Sequence, residues 1–275
     1  MSSILVVDDD ETTRLLMRKV LTGAGFSATE AKDGLAALET LRSRRFDLML
    51  LDVWMPRMNG LDLLAELRTI ESPPRVVVMT SDDAPETLLK AVREQAFSYV
   101  HKPVDASALL KTVRETLEAP EPPRIDVISA RPEWVELMVP CTRDAVGRIQ
   151  TVLAHLDTDL APELRESIGY AFRELLMNAV EWGGGLDPSR KVRIAYLRAK
   201  RMLLYRIADP GPGFKIDDLP HAAISHPADN PIAHMLVREE KGIRPGGFGL
   251  LMVRANVDEL VYNEQRNEVV FVKYL

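Results

Sequence analysis

The chain lacks most of the features that would place it in several broad protein classes. Among its 275 residues there is one cysteine, Cys141. A lone cysteine excludes an intramolecular disulfide and any cysteine-based zinc cluster, and Cys141 reads as a small buried hydrophobe. No stretch approaches the roughly 18 consecutive apolar residues of a membrane-spanning helix. The opening Met-Ser-Ser-Ile-Leu-Val-Val-Asp-Asp-Asp10 has no basic region and turns acidic at once, so it does not read as a secretory signal. Basic residues are not in excess. The 35 Lys and Arg against 41 Asp and Glu leave a net charge of −6, which gives no footprint for direct nucleic-acid binding. Internal repeats and long low-complexity segments are missing too. What is present is 46% hydrophobic residues, enough to core one or two domains. A reduced, cytoplasmic protein without a membrane partner is expected.

The most informative stretch is Leu48-Met-Leu-Leu-Asp52-Val-Trp-Met-Pro56-Arg-Met-Asn-Gly60. A short, continuous apolar run without alternation reads as a buried parallel strand. Asp52 ends it, where open α/β sheets place their chemistry. The rest of the first half follows suit. Strands are expected at Ile4–Val7, Ser27–Ala31, Arg75–Thr80 and Ser98–Val100. Helices are expected from Thr12 to Leu21 with Leu15, Leu16 and Val20 as its apolar face, and after Asp33 with Leu35, Ala36, Leu38 and Leu41 inward. Others run over Leu61–Arg68, over Ala84–Glu94 behind an Asp83 cap, and from an Asp105 cap to about Leu117. Alternating strands and helices predict a doubly wound five-stranded parallel sheet.

In such a sheet the strand ends share one edge. Asp8 and Asp9, Asp52, Thr80 with Ser81, and Lys102 therefore converge. Three crowded carboxylates repel unless a cation joins them, and hard oxygen donors suit Mg²⁺. A lysine ammonium beside them suits phosphoryl transfer to a carboxylate. Each piece also has a plain structural reading: a helix-cap cluster at Asp8–Asp10, a turn at Thr80, a solvated charge at Lys102. Their occurrence together at successive strand ends favours the chemical reading.

These residues, with Tyr99-Val-His-Lys102-Pro103, resemble the receiver domain of bacterial two-component response regulators, over about residues 2–118. The resemblance implies that Asp52 is the phosphoacceptor. It implies that Asp8 and Asp9, with the Trp54 carbonyl, hold Mg²⁺, that Lys102 contacts the phosphoryl group, and that Thr80 moves toward it. It makes Tyr99 an aromatic that turns inward and Lys102-Pro103 a candidate cis peptide. Gln95-Ala departs from the family's frequent Gly-Ala, at a turn. The domain is expected over 1–118. Residues 119–124 of Ala-Pro-Glu-Pro-Pro-Arg form a semi-rigid proline-rich connector.

Residues 125–275 read differently. Strands are expected at Ile125–Ser129 and Trp134–Val139, the second alternating more clearly. Two helices follow, from Cys141 to Leu156 and from Pro162 to Trp182, the latter stopped by Gly183-Gly-Gly185. A strand pair, Lys191–Leu197 and Met202–Ala208, leads into Asp209-Pro-Gly211-Pro-Gly213. A long loop carries one short helix near 232–239. Gly246-Gly247-Phe-Gly249 opens a helix to about Asn256, and a hairpin turning at Asn263–Asn267 closes the chain. Glu174 and Asn178 are four apart, hence on one helical face, which is either a cleft edge or an ordinary solvated face. Asp209 is a strand-end acceptor or a turn residue. Glycines before a helix N-terminus form a phosphate cradle or a hinge.

In this order they resemble the nucleotide-binding domain shared by gyrase, the ninety-kilodalton heat-shock chaperone, histidine kinases and the mismatch-repair ATPase, an α+β two-layer ATP-binding sandwich. Within it the chain is most similar to the bacterial anti-sigma-factor serine kinases. That resemblance implies that Glu174 is the general base, that Asn178 holds Mg²⁺ at the ATP phosphates, and that Asp209 bonds the adenine amino group with help from Gly211 and Gly213. It also implies phosphate contacts from Gly247, Gly249 and Arg244, and an ATP lid over 214–246. A histidine kinase would need a dimerising helical hairpin, for which 125–163 offers too little, and His155 lacks the usual acidic neighbour. The expected function is a response regulator whose serine/threonine kinase output acts on an anti-sigma-factor antagonist and binds a sigma factor, with an upstream histidine kinase and a homodimeric state. The alternative is a switchable, non-catalytic module that holds ATP and sequesters its partner.

Overall fold

The computed structural model describes residues 1–81, 85–119, 124–214 and 248–275. The chain divides into two compact units, Met1–Pro122 and Pro123–Leu275.

In the first unit β1 (Ser3–Val7), β2 (Ser27–Ala31), β3 (Leu48–Asp52), β4 (Arg75–Thr80) and β5 (Ser98–His101) alternate with α1 (Glu11–Gly23), α2 (Gly34–Ser43), α3 (Gly60–Glu66), α4 (Pro85–Arg93) and α5 (Ala106–Glu118). The strands lie in the order β2-β1-β3-β4-β5, all parallel. Apolar runs this continuous arise because both sheet faces are covered. Leu5, Val7, Met49, Leu51, Val76 and Val78 face α2, α3 and α4. Ile4, Val6, Leu48, Leu50, Val77 and Met79 face α1 and α5. Asp10, Asp33, Asn59 and Asp105 cap their helices by accepting backbone N–H bonds.

Two helical faces differ from expectation. On α1, Leu15 and Leu16 are 53% and 60% exposed, and Met17 and Leu21 pack inward, with Val20 against the core. On α2, Leu35 is exposed and Ala37 takes the inward position. In both helices the leucines misled because apolar spacing alone leaves the phase of a short helix undetermined by one residue.

The second unit is a six-stranded antiparallel sheet, order β10-β11-β9-β8-β7-β6. Its strands are β6 (Asp126–Arg131), β7 (Trp134–Pro140), β8 (Lys191–Ala199), β9 (Met202–Ala208), β10 (Glu259–Tyr262) and β11 (Glu268–Tyr274). α6 (Arg143–Leu156), α7 (Pro162–Asn178) and α8 (Gly249–Asn256) accompany them. Alternate residues Val192, Ile194 and Tyr196 of β8 and Leu203, Tyr205 and Ile207 of β9 are buried. Tyr205 stacks on Phe271 and tilts against Phe172 of α7. Strand β7 does not alternate cleanly, because Glu136 is buried beneath its ion pair with Arg193. Helix α7 also ends earlier than expected. Regular α-helix stops at Asn178 and a π-helical turn, Ala179–Gly183, carries the chain to Gly184.

The expected Asp83 cap, residues 120–123 of the connector, the helix near 232–239, and Arg244, Gly247 and the loop beyond Phe214 lie outside the described residues. Among the described residues no helix is long and apolar enough to cross a membrane.

Candidate functional site

The parallel order of the first sheet puts the ends of β1, β3, β4 and β5 on one edge. Asp52 is the last residue of β3, Thr80 the last of β4, and Asp8 and Lys102 follow β1 and β5. Carboxylate oxygens of Asp8, Asp9 and Asp52 lie within 4.8 Å of one another. The Lys102 ammonium donates to Asp8 Oδ2 and Asp52 Oδ1, each at 2.7 Å. Asp8 is 1% exposed and Asp52 6%. Burial raises the Asp52 carboxyl above the ordinary value, while the Lys102 hydrogen bond pulls the other way. Burial also works against the Lys102 charge, but the bonds to Asp52 and Asp8 outweigh it and hold the ammonium above the ordinary lysine value.

Backbone bonds fix this edge. The Lys102 N–H donates to Thr80 O at 2.8 Å, which ties the end of β5 to buried Thr80. Lys102-Pro103 is cis. Arg14 of α1 donates to the Asp8 and Asp9 carbonyls at 2.8 and 3.0 Å. Trp54 lies two residues past Asp52 in the β3–α3 loop, its ring exposed, and Tyr99 packs half-buried on the α2–α4 side of the sheet. The three carboxylates offer hard oxygen donors close enough together to fit a Mg²⁺ ion. Asp10, by contrast, is an α1 cap, whose carboxyl is held low by the Thr13 hydroxyl and backbone.

In the second unit Glu174 and Asn178 are half-buried on α7, Asn178 being its last residue. Gly249 begins α8, and a Cβ there would overlap Glu174 Oε1. The start of α8 therefore sits directly on the Glu174 carboxylate. The N-cap of α8 is Phe248, whose side chain makes no capping bond. A helix N-terminus presents backbone amides that suit an anion.

Asp209 follows β9. Its Oδ1 accepts the Gly211 N–H at 2.7 Å, and a Cβ on Gly183 would overlap its carboxyl group. Burial raises the Asp209 carboxyl above the ordinary value, against the Gly211 bond and the Arg190 charge. Asn267 donates to Gly211 O at 3.1 Å, and Gly213, at φ 80°, lies against the Gln265 carbonyl. The Asp209 turn is thus held between the π-helical turn after Asn178 and the β10–β11 hairpin. A half-buried carboxylate beside glycines can accept a hydrogen bond from a base amino group.

Sequence reasoning missed Arg14, Asn267 and the π-helical turn. Lone arginines and a hairpin asparagine carry no spacing signal. The π turn had one, since glycines at 183 and 184 are needed where Asp209 and Cys141 press against them.

Residues 4–114 match the response regulator receiver domain family, and residues 139–273 match the histidine kinase-like ATPase domain family. The chain is 33% identical over 201 residues to the DNA-binding response regulator MtrA of Mycobacterium tuberculosis (strain ATCC 25618 / H37Rv), which covers 72% of this chain and 86% of MtrA. The chain belongs to the response regulator family. This response regulator is also 37% identical over 114 residues to the transcriptional regulatory protein ZraR of Klebsiella oxytoca, covering 42% of the chain and 26% of ZraR. It thus spans about a quarter of the length of that relative. Among solved structures, the CheY-like receiver domain protein of Methanospirillum hungatei JF-1 is 25% identical. It covers 43% of this chain and 94% of that one, with a TM-score of 0.42. By its two family matches the response regulator pairs a receiver with a histidine kinase-like ATPase domain.

Proposed function

We propose that this response regulator is a phosphorylation-controlled protein serine/threonine kinase of the anti-sigma-factor type, with a receiver over 1–118, a connector over 119–124 and the ATP-binding domain over 125–275. The observation that carries the reading is the seating of the α8 N-terminus on the Glu174 carboxylate, one turn from Asn178. Glu174 accepts the proton of a serine or threonine hydroxyl as its oxygen bonds to the γ-phosphorus and ADP departs. Asn178 orients the phosphates, Asp209 with Gly211 and Gly213 takes the adenine edge, and Gly247, Gly249 and Arg244 contact phosphate. Bound Mg²⁺ supplies charge neutralisation at both sites.

In the receiver, Asp52 is the nucleophile toward an upstream histidine kinase's phosphoryl group. Asp8, Asp9 and Asp52, with the Trp54 carbonyl, would hold the cation. Lys102 leaves Asp52 to cover the new phosphoryl charge, and Thr80 closes on it. The substrate is an anti-sigma-factor antagonist, a sigma factor is the second partner, and the working form is a homodimer.

The test is Glu174→Ala and Asn178→Ala in a transfer assay with the antagonist. Glu174→Ala is expected to abolish transfer and keep ATP affinity, and Asn178→Ala to weaken both. If the wild-type protein binds ATP but transfers nothing, with or without a phosphoryl group on Asp52, it is a binding module and the kinase reading fails.

A further inference from the structure

The β3–α3 loop contains a strained turn. Met58 N–H donates to Pro56 O at 2.9 Å across Arg57, whose φ is 70°. A three-residue turn with positive φ at its centre is rare and strained, and a non-glycine residue holds it only when its surroundings over-determine it. The surroundings are visible. The Arg57 guanidinium pairs with Asp33, the cap of α2, which is 1% exposed. Asp33 Oδ1 is meanwhile occupied by the Ala36 N–H at 2.9 Å. Beside it Gly34 N–H donates to Met58 O at 3.3 Å, and a Cβ on Gly34 would strike Met58.

At the other end of the loop, Gly60 N–H donates to Val53 O at 2.8 Å, and Gly60 lies on the Asp52 carbonyl. The segment after Asp52 is thus fastened at two points: to its own strand through Gly60, and to the start of α2 through Arg57. A buried carboxylate needs a charged partner, so the pair also commits Asp33 to the loop. Trp54 lies between Val53, which accepts the Gly60 bond, and Arg57.

We infer that the Arg57–Asp33 ion pair is a latch that holds the loop after Asp52 in the conformation that binds the divalent cation, making both residues positioning residues of the receiver site. The inference rests on the cation reading of Asp8, Asp9 and Asp52. Asp33 and Arg57 pair with each other and not with the three carboxylates, so the latch acts through the backbone. Partners behind a metal's ligands commonly set its affinity.

The test titrates the full-length, nucleotide-free protein with Mn²⁺, a hard-oxygen stand-in for Mg²⁺, and reads free Mn²⁺ by electron paramagnetic resonance. Arg57→Gly removes the guanidinium while suiting the positive φ. Asp33→Asn keeps the cap and removes the charge. Each is expected to weaken Mn²⁺ binding about tenfold, with Arg57→Lys recovering part of the loss. The double variant Arg57→Gly/Asp33→Asn has no unpaired buried charge and no strained side chain at 57. Its thermal stability is expected to return to that of the wild type while its Mn²⁺ affinity stays low, a split that a purely structural pair would not give. Wild-type Mn²⁺ affinity in the double variant overturns the latch alone. Absence of Mn²⁺ binding in the wild type, with no change on Asp9→Asn, overturns the cation reading and the latch with it.

Discussion

At the residue scale, the receiver site is a balance of charge in a nearly dry place. Lys102 is the counter-charge to two buried carboxylates, with its side chain 21% exposed. Removing one partner of such a set leaves uncompensated charge and costs about 3–5 kcal/mol. Lys102→Ala is therefore expected to lower stability by about 3 kcal/mol in metal-free buffer, and added Mg²⁺ is expected to recover it by replacing the ammonium. Thermal unfolding with and without Mg²⁺ reads both. Asp209 makes a parallel case. Its carboxyl is raised by burial, and the proposed adenine contact needs the ionised form. ATP affinity is expected to fall as pH drops, starting above the range of an ordinary aspartate. Asp209→Asn should bind about 1–3 kcal/mol more weakly and show no such pH dependence in a binding titration. Gly249→Ala puts a methyl on Glu174 Oε1, the free end of a flexible side chain. Folding is expected to be nearly intact and transfer to fall about 100-fold, read by comparing the melting temperature with single-turnover rates.

At the scale of elements, the ATPase domain is clasped where α6 ends. Asp157, just past Leu156, accepts the Tyr196 and Tyr205 hydroxyls of β8 and β9 at 2.9 Å each, with Arg198 at 3.7 Å. Burial raises the Asp157 carboxyl above 3.8, against the two hydroxyl bonds. The folded state thus binds this proton more tightly than the unfolded chain does. The contribution is fully present below about 3.8 and is lost as pH rises through the folded value. Asp157→Asn is expected to remove that slope from the pH–stability curve, and Tyr205→Phe to cost about 1–3 kcal/mol by leaving Asp157 Oδ2 unpaired. Elements were the most legible level of the sequence. Strand β4 spans the expected Arg75–Thr80, and α5 starts from its Asp105 cap, because continuous apolar runs and side-chain caps are local signals. The inward faces of α1 and α2 were not legible, since Leu15, Leu16 and Leu35 are as apolar as Met17 and Ala37 and only the sheet decides between them. The end of α7 was hidden for a like reason: the π turn answers to Asp209, which is 31 residues beyond Asn178 in the chain.

At the scale of the whole molecule, the chain joins a receiver domain to a histidine kinase-like ATPase domain, and on the proposed function the two meet in the phosphoryl group, taken on a carboxylate in one and donated from ATP in the other. The carboxylates of Asp8, Asp9 and Asp52 could be brought together from sequence because a parallel sheet aligns its strand ends. The Arg57–Asp33 pair could not, since it joins two loops 24 residues apart with no shared pattern. The most direct measurement of the central claim is single-turnover transfer from γ-labelled ATP to the antagonist, in the presence and absence of a small acyl phosphate, for the wild type and Asp52→Asn. The expected result is acid-stable, base-labile label on the antagonist, at a rate that the acyl phosphate changes in the wild type and leaves unchanged in Asp52→Asn. Equal wild-type rates under both conditions, or acid-labile label on the response regulator itself, would contradict the account.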